Sequence, residues 1–148
     1  MVMRAKTFTV SVAESCTGGL LAARITDVPG SSDYFRGGII AYHDSVKRRL
    51  LGIDNRLLKK FGAVSGAVAK KMAAHVRALF ETDCGIGITG IAGPSGGTRK
   101  KPVGLVYISL ATAKKMICKK FQLSGNRMEI REKAVTEALN LLKSAKSN

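Results

Sequence analysis

The chain has 148 residues, a hydrophobic fraction of 45% and a net charge of +15, from 25 Lys and Arg against 10 Asp and Glu; this suits one domain with a single core. No apolar run approaches the ~20 residues that a membrane-spanning helix needs, and 3 cysteines with no CxxC pair beside 2 histidines exclude a disulfide framework and a zinc site. The basic excess is spread along the chain and aromatic residues make up only 5%, so neither a nucleic-acid-binding arm nor a base-stacking platform is expected, and no specific nucleic-acid partner.

The amino terminus MVMRAKTFTVSVA alternates instead of pairing a charged region with an apolar block, so it does not read as a signal peptide and a cytoplasmic protein is expected. Lys6 to Ala13 reads as a strand, and Gly18 to Thr26 carries Leu20, Leu21, Arg24 and Ile25 at helical spacing before the stop VPG. GGIIAY (37–42) is a second strand leading to a helix start at Asp44. Val64, Val68, Met72, Val76 and Phe80 step by four, which predicts a helix over 65–81 with His75 as a structural residue at the edge of its apolar stripe. A buried strand over 85–89, a glycine-rich loop to Pro102, and strands over 104–112 and 116–123 joined by Ala113-Lys114-Lys115 follow. Asn126 and Glu129 have capping-box spacing and open a last helix to about Leu142.

This order implies an α/β chain, a three-layer α/β/α domain over residues 1–148 on a mixed, mainly parallel sheet with an antiparallel strand pair. Chemistry in such sheets collects at strand carboxyl ends. AESCTGG (13–19), AYHDSVK (41–47) and TGIAGPSGG (89–97) all fall there.

GIGITG (85–90) satisfies GxGxxG, but IAGPSGGT follows it where a helix should start and no acidic residue lies at the proper distance, so a dinucleotide fingerprint is excluded. The loop glycines Gly90, Gly93, Gly96 and Gly97 suit close backbone approach to an anion, or simply a long turn. In AESCTGG, a serine at a strand end before a helix has its hydroxyl near unpaired backbone amides. Ser15 is a candidate nucleophile, with the amides of Thr17, Gly18 and Gly19 as an oxyanion site; alternatively Ser15 or Thr17 caps the helix. Cys16 is a rival nucleophile, since a helix amino terminus lowers a thiol pKa; continued strand geometry would turn it away from the side Ser15 faces. Neither GxSxG nor SxxK occurs, and His43 and His75 have no triad context. Lys47, one helical turn past a strand end, is the candidate base if burial depresses its pKa.

Taken together, AESCTGG, AYHDSVKRRLLGI (41–53) with GAVS (62–65), and GITGIAGPSGGTRKKPVG (87–104) resemble the CinA carboxyl-terminal domain family, in order from about residue 9 to residue 142. The resemblance implies an amidase that converts nicotinamide mononucleotide to nicotinate mononucleotide and ammonia in pyridine nucleotide recycling, without cofactor or metal. It implies Ser15 as nucleophile, Lys47 as base and Tyr42 beside them. Thr17, Gly18, Gly19, Thr89, Gly90, Gly93, Gly96, Gly97 and Arg127 would then bind the substrate, a phosphorylated pyridine nucleotide. Family members also form homodimers or larger assemblies, so a homo-oligomer is expected. A catalytically silent nucleotide-binding or regulatory domain is the alternative within the family. Asp44, Ser95 and Asn126 depart from the usual Asn, Asp and Asp of the family pattern. A carboxylate at 44 would favour the ammonium form of Lys47.

Overall fold

A computed structural model describes residues 7–146 of the chain. Among them run β1 (Val10–Glu14), α1 (Leu20–Thr26), β2 (Phe35–Ile40), α2 (Asp44–Leu51), α3 (Asn55–Phe61), α4 (Gly66–Leu79), β3 (Cys84–Gly90), β4 (Leu105–Thr112), β5 (Met116–Gln122) and α5 (Arg127–Lys146). The sheet order is β2-β1-β3-β4-β5. β1 is parallel to β2 and β3, and β4 is antiparallel to β3 and β5. Helices α1 and α5 cover one face, where Val10, Val12, Ile86, Ile88, Ile108 and Leu110 meet Leu21, Ile130 and Ala134. The other face carries α2, α3 and α4, with Leu51, Val68, Met72 and Val76 packed near Ala13. The result is the expected three layers.

Local chemistry explains most element ends. Ser65 Oγ accepts from Val68 N (3.3 Å) and starts α4. Asn126 and Glu129 form a reciprocal box: Asn126 Oδ1 accepts from Glu129 N (3.0 Å), and Glu129 Oε2 accepts from Asn126 N (2.7 Å). Helix α5 runs on to Lys146 because Ala145 still packs on the core. β1 begins at Val10, later than the alternation suggested; Lys6 lies outside the described residues. Helix α3 was not expected. Its seven residues, capped by Asp54 Oδ1 on Leu57 N (2.8 Å), bury only part of Leu57 and Leu58, too short a stripe to show a period.

The glycines of GIGITG have a packing role. β3 points Cys84, Ile86 and Ile88 at the α1 and α5 layer, so Gly85 and Gly87 face α4. A Cβ on Gly87 would run into the carbonyl oxygen of Ala69 and sit 2.7 Å from Ala73 N. The helix backbone thus rests directly on the strand, and Ser11 Oγ reaches the carbonyl of Val76 (3.1 Å) from β1. Gly87→Ala must push α4 off the sheet, and a loss of about 1–3 kcal/mol is expected in chemical denaturation.

Candidate active site

The site starts from a buried carboxylate. Glu14, the last residue of β1, accepts hydrogen bonds from Gly19 N (3.1 Å), Leu21 N (3.0 Å) and Ala22 N (2.8 Å). It caps α1 from the strand end, through a tight turn in which Gly18 and Gly19 take φ values of +58° and +97°. Neither Ser15 nor Thr17 caps the helix. Ser15 is anchored by its N–H to Ile88 O (3.0 Å), and its hydroxyl has no hydrogen-bond partner among the described residues. Thr17 Oγ1 is fully buried and also unpartnered. From the far side Arg131 of α5 donates Nε to Cys16 O (3.2 Å) and Nη2 to Thr17 O (2.9 Å).

A cavity of about 300 Å³ opens at the carboxyl ends of β1, β2 and β3, the lower end of the ligand-pocket range. It brings together Ser15, Tyr42, Lys47, Thr89 and Arg127 with the loop glycines Gly90, Gly93 and Gly96; Asp44 and Ser95 join them. Thr17, Gly18, Gly19 and Gly97 do not line it. Two of the three expected oxyanion amides are moreover taken, Gly18 N by Ser15 O (3.0 Å) and Gly19 N by Glu14. Gly97 instead packs against Val103. Thr89 is buried and donates its hydroxyl to Ala63 O (2.8 Å), tying β3 to the segment before α4.

Cys16 departs from expectation twice. The strand ends at Glu14, so alternation stops there and Cys16 lines the cavity together with Ser15. Burial pushes its thiol up to about 11, although its own amide, Arg131 and Lys47 pull the other way. Desolvation therefore outweighs the helix end, and a thiolate is disfavoured near neutral pH.

Lys47 is turned inward by α2, whose amino terminus is capped by His43: Nδ1 accepts from Ser45 N (3.2 Å). Lys47 is only 2% exposed. Its Nζ donates to Tyr42 O (3.0 Å) and lies 3.5 Å from Asp44 Oδ1. Burial holds the Lys47 pKa below the ordinary lysine range, with Asp44 acting against it. On the opposite rim Arg127 donates Nη1 to Gly93 O (2.6 Å) and Nη2 to Tyr42 Oη (3.0 Å), linking the loop, the start of α5 and the segment after β2. Glu14 and Arg131 escaped the sequence reading. A carboxylate six positions before the start of α1 at Leu20 was the available signal for Glu14; Arg131 offered none, since its partners lie 114 and 115 positions away.

Among the described residues no group of three or more His, Cys, Asp or Glu side chains is placed to hold a metal ion. A second cavity, of about 340 Å³, lies at the other end of the sheet between Phe8, Leu110, Ile117 and Ala145.

The family model of the CinA C-terminal domain matches residues 1–146. A CinA-like protein of Endomicrobium trichonymphae is 53% identical over 135 residues, covering 91% of this chain and 32% of its own length. A CinA-like protein of Mycobacterium avium is 51% identical over 140 residues, covering 90% of this chain and 32% of its own length. The chain thus spans about a third of the length of these curated relatives. Among solved structures, the competence/damage inducible protein CihA from Agrobacterium tumefaciens superposes with a TM-score of 0.91 at 37% identity, over 93% of this chain and 84% of that one. With its fold, its three motif blocks and these matches in agreement, the chain belongs to the CinA C-terminal domain family.

Proposed function

We propose that this domain is a serine amidase that hydrolyses the carboxamide of nicotinamide mononucleotide, releasing ammonia and nicotinate mononucleotide. One observation carries the reading: a serine hydroxyl that no group among the described residues engages shares a cavity with a buried lysine whose pKa is depressed. A nucleophile needs a nearby base that is neutral at working pH, and a desolvated lysine supplies one. Ser15 Oγ bonds to the carboxamide carbon while its proton passes to Lys47 Nζ. The C–N bond then breaks, and the leaving nitrogen takes that proton and departs as ammonia. Water attacks the resulting ester, its proton passes to Lys47, and the proton returns to Ser15 as the ester C–O bond breaks. Arg127 and the Gly93–Gly96 turn, with φ values of +75° at Gly93 and +88° at Gly96, suit the phosphate. Tyr42 supports both ends, its carbonyl on Lys47 and its hydroxyl on Arg127.

Asp44 favours a second reading, a catalytically silent nucleotide-binding domain, because a carboxylate 3.5 Å from Nζ stabilises the ammonium. A homo-oligomer and a cytoplasmic location belong to the proposal as well. The exposed side chains of Ile40, Leu50, Leu79 and Met128 supply apolar surface for a partner copy.

Ammonia release from nicotinamide mononucleotide is expected without added metal and undiminished by chelator. Binding without turnover across a panel of pyridine nucleotides would establish the silent reading. Ser15→Ala and Lys47→Ala are expected to lower kcat by about 10³-fold or more with the fold retained, whereas Cys16→Ala keeps most of the rate. An active Ser15→Ala beside a dead Cys16→Ala would move the nucleophile to the thiol.

The pH profile tests Asp44. Lys47 acts deprotonated, so the rate rises with pH through its pKa. Asp44→Asn removes a group that raises that pKa, and the acidic limb is expected to move to lower pH. An unmoved limb would show that Asp44 does not control the base. Light scattering at micromolar concentration is expected to give a mass above that of one chain; a strictly monomeric mass contradicts the oligomer.

A further inference from the structure

Alternation along β5 turns Cys118 and Lys120 to the α4 side of the sheet, the side that Tyr107 of β4, the register partner of Lys120, also faces. Helix α4 lies mainly over β3 and β4, so β5 stands past its edge. A groove of about 620 Å³ follows, between the end of α3, the start of α4 and the β4–β5 pair. Gly66 brings the first turn of α4 down onto β4 and β5: a Cβ there would sit 3.4 Å from Cys118 Sγ and 3.6 Å from the Tyr107 ring. Lys70, one turn further along the helix, shares that face and lines the same groove.

Three ammonium groups reach the groove from three separate parts of the chain: Lys70 from α4, Lys101 from the loop between β3 and β4, and Lys120 from β5. No acidic side chain lines it. Lys101 Nζ donates to the carbonyl oxygen of Phe61 at the end of α3, whereas Lys70 and Lys120 form no hydrogen bond or ion pair among the described residues. A fourth ammonium, that of Lys60, lies 5.2 Å from the centroid of the Phe61 ring. The exposed ring of Phe61 and the half-buried ring of Tyr107 supply aromatic walls. Lysines that served only to keep an edge strand from pairing would sit along β5 itself. Here like charges from three elements converge on one groove, and a bound anion relieves their repulsion.

We propose that this groove is a second ligand site that takes a nucleoside polyphosphate, with its phosphates on Lys70, Lys101 and Lys120 and its base against Phe61. A single phosphate leaves most of the positive charge unmatched. A bare polyphosphate leaves the aromatic ring unused, whereas any base can stack on it. The volume falls within the range of small-molecule pockets. The site is distinct from the Ser15 cavity, with which it shares one lining residue, Val64, and it does not depend on the amidase reading.

The test is calorimetric titration of the full chain with ATP and with inorganic tripolyphosphate, in salt of about 0.15 M so that diffuse surface attraction is screened. Wild-type protein is expected to bind both. Replacing Lys70 and Lys120 together by Ala is expected to raise the Kd for ATP by about tenfold or more. Replacing Lys114 and Lys115 by Ala removes the same charge at the other end of the sheet, and Kd is expected to stay within about threefold. Phe61→Ala is expected to weaken ATP by about fivefold or more while tripolyphosphate changes by less than about twofold. If the Lys70 and Lys120 double variant does not fold, Lys120→Ala carries the test alone. No binding of ATP by wild-type protein, or equal losses in the two lysine pairs, overturns the site. Loss of ATP binding in Arg127→Gln, whose side chain lines the other cavity, places the nucleotide there and overturns it too. Equal weakening of both ligands, or of neither, by Phe61→Ala overturns the choice of a nucleoside.

Discussion

The carboxylate of Glu14 organises the part of the molecule where chemistry is expected. Placed at the end of a buried strand, it gathers three backbone donors from the start of α1. A buried acceptor of this kind, stranded without its donors, would be costly, and so would the helix amides without it. The strand end and the helix start are therefore locked together, and the residues between them have little choice of path. Ser15 is held in that turn with its hydroxyl unengaged among the described residues. Capping by Glu14 releases serine from the local role that residue type so often plays.

A second constraint is the balance around Lys47. Nearly complete burial penalises the ammonium, while the Tyr42 carbonyl and the Asp44 carboxylate favour it. Burial prevails in direction. Because Asp44 is itself about half exposed, solvent screens its attraction, whereas the desolvation of Lys47 is not screened. The same logic, with the sign for a thiol, disarms Cys16. Desolvation thus disfavours the charged form of both neighbouring groups, making the amine less basic and the thiol less acidic, and their reactivities diverge: an amine relieved of its proton can take one from a nucleophile, whereas a thiol that keeps its proton is a poor nucleophile.

Much of this was legible in one chain. The step of four through α4, the capping box at Asn126 and the hairpin of β4 and β5 are patterns set by residues a few positions apart, and the three motif blocks fall at strand ends as the layered order requires. The short helix α3 was not legible, since two half-buried leucines make no period. The purpose of Gly85 and Gly87 was hidden as well. They stood in a buried strand as part of a rejected dinucleotide fingerprint, with no packing role assigned, yet they admit the backbone of α4 onto β3.

Sequence alone determined the layered α/β class, the family resemblance and some of the residues gathered at the cavity mouth, Ser15, Tyr42, Lys47 and Thr89 among them, because periodicity, caps and motif spacing are local. Tertiary structure decided which of them carry which duty. It assigned the helix cap to Glu14, brought both Ser15 and Cys16 to the cavity, and set the direction of the Lys47 and Cys16 pKa shifts. Apart from the Glu14 cap, whose donors lie 5 to 8 positions along the chain, these depend on burial or on partners more than a hundred positions away, as with Arg131 and the turn after Ser15, and desolvation and long-range hydrogen bonding have no local pattern in a chain.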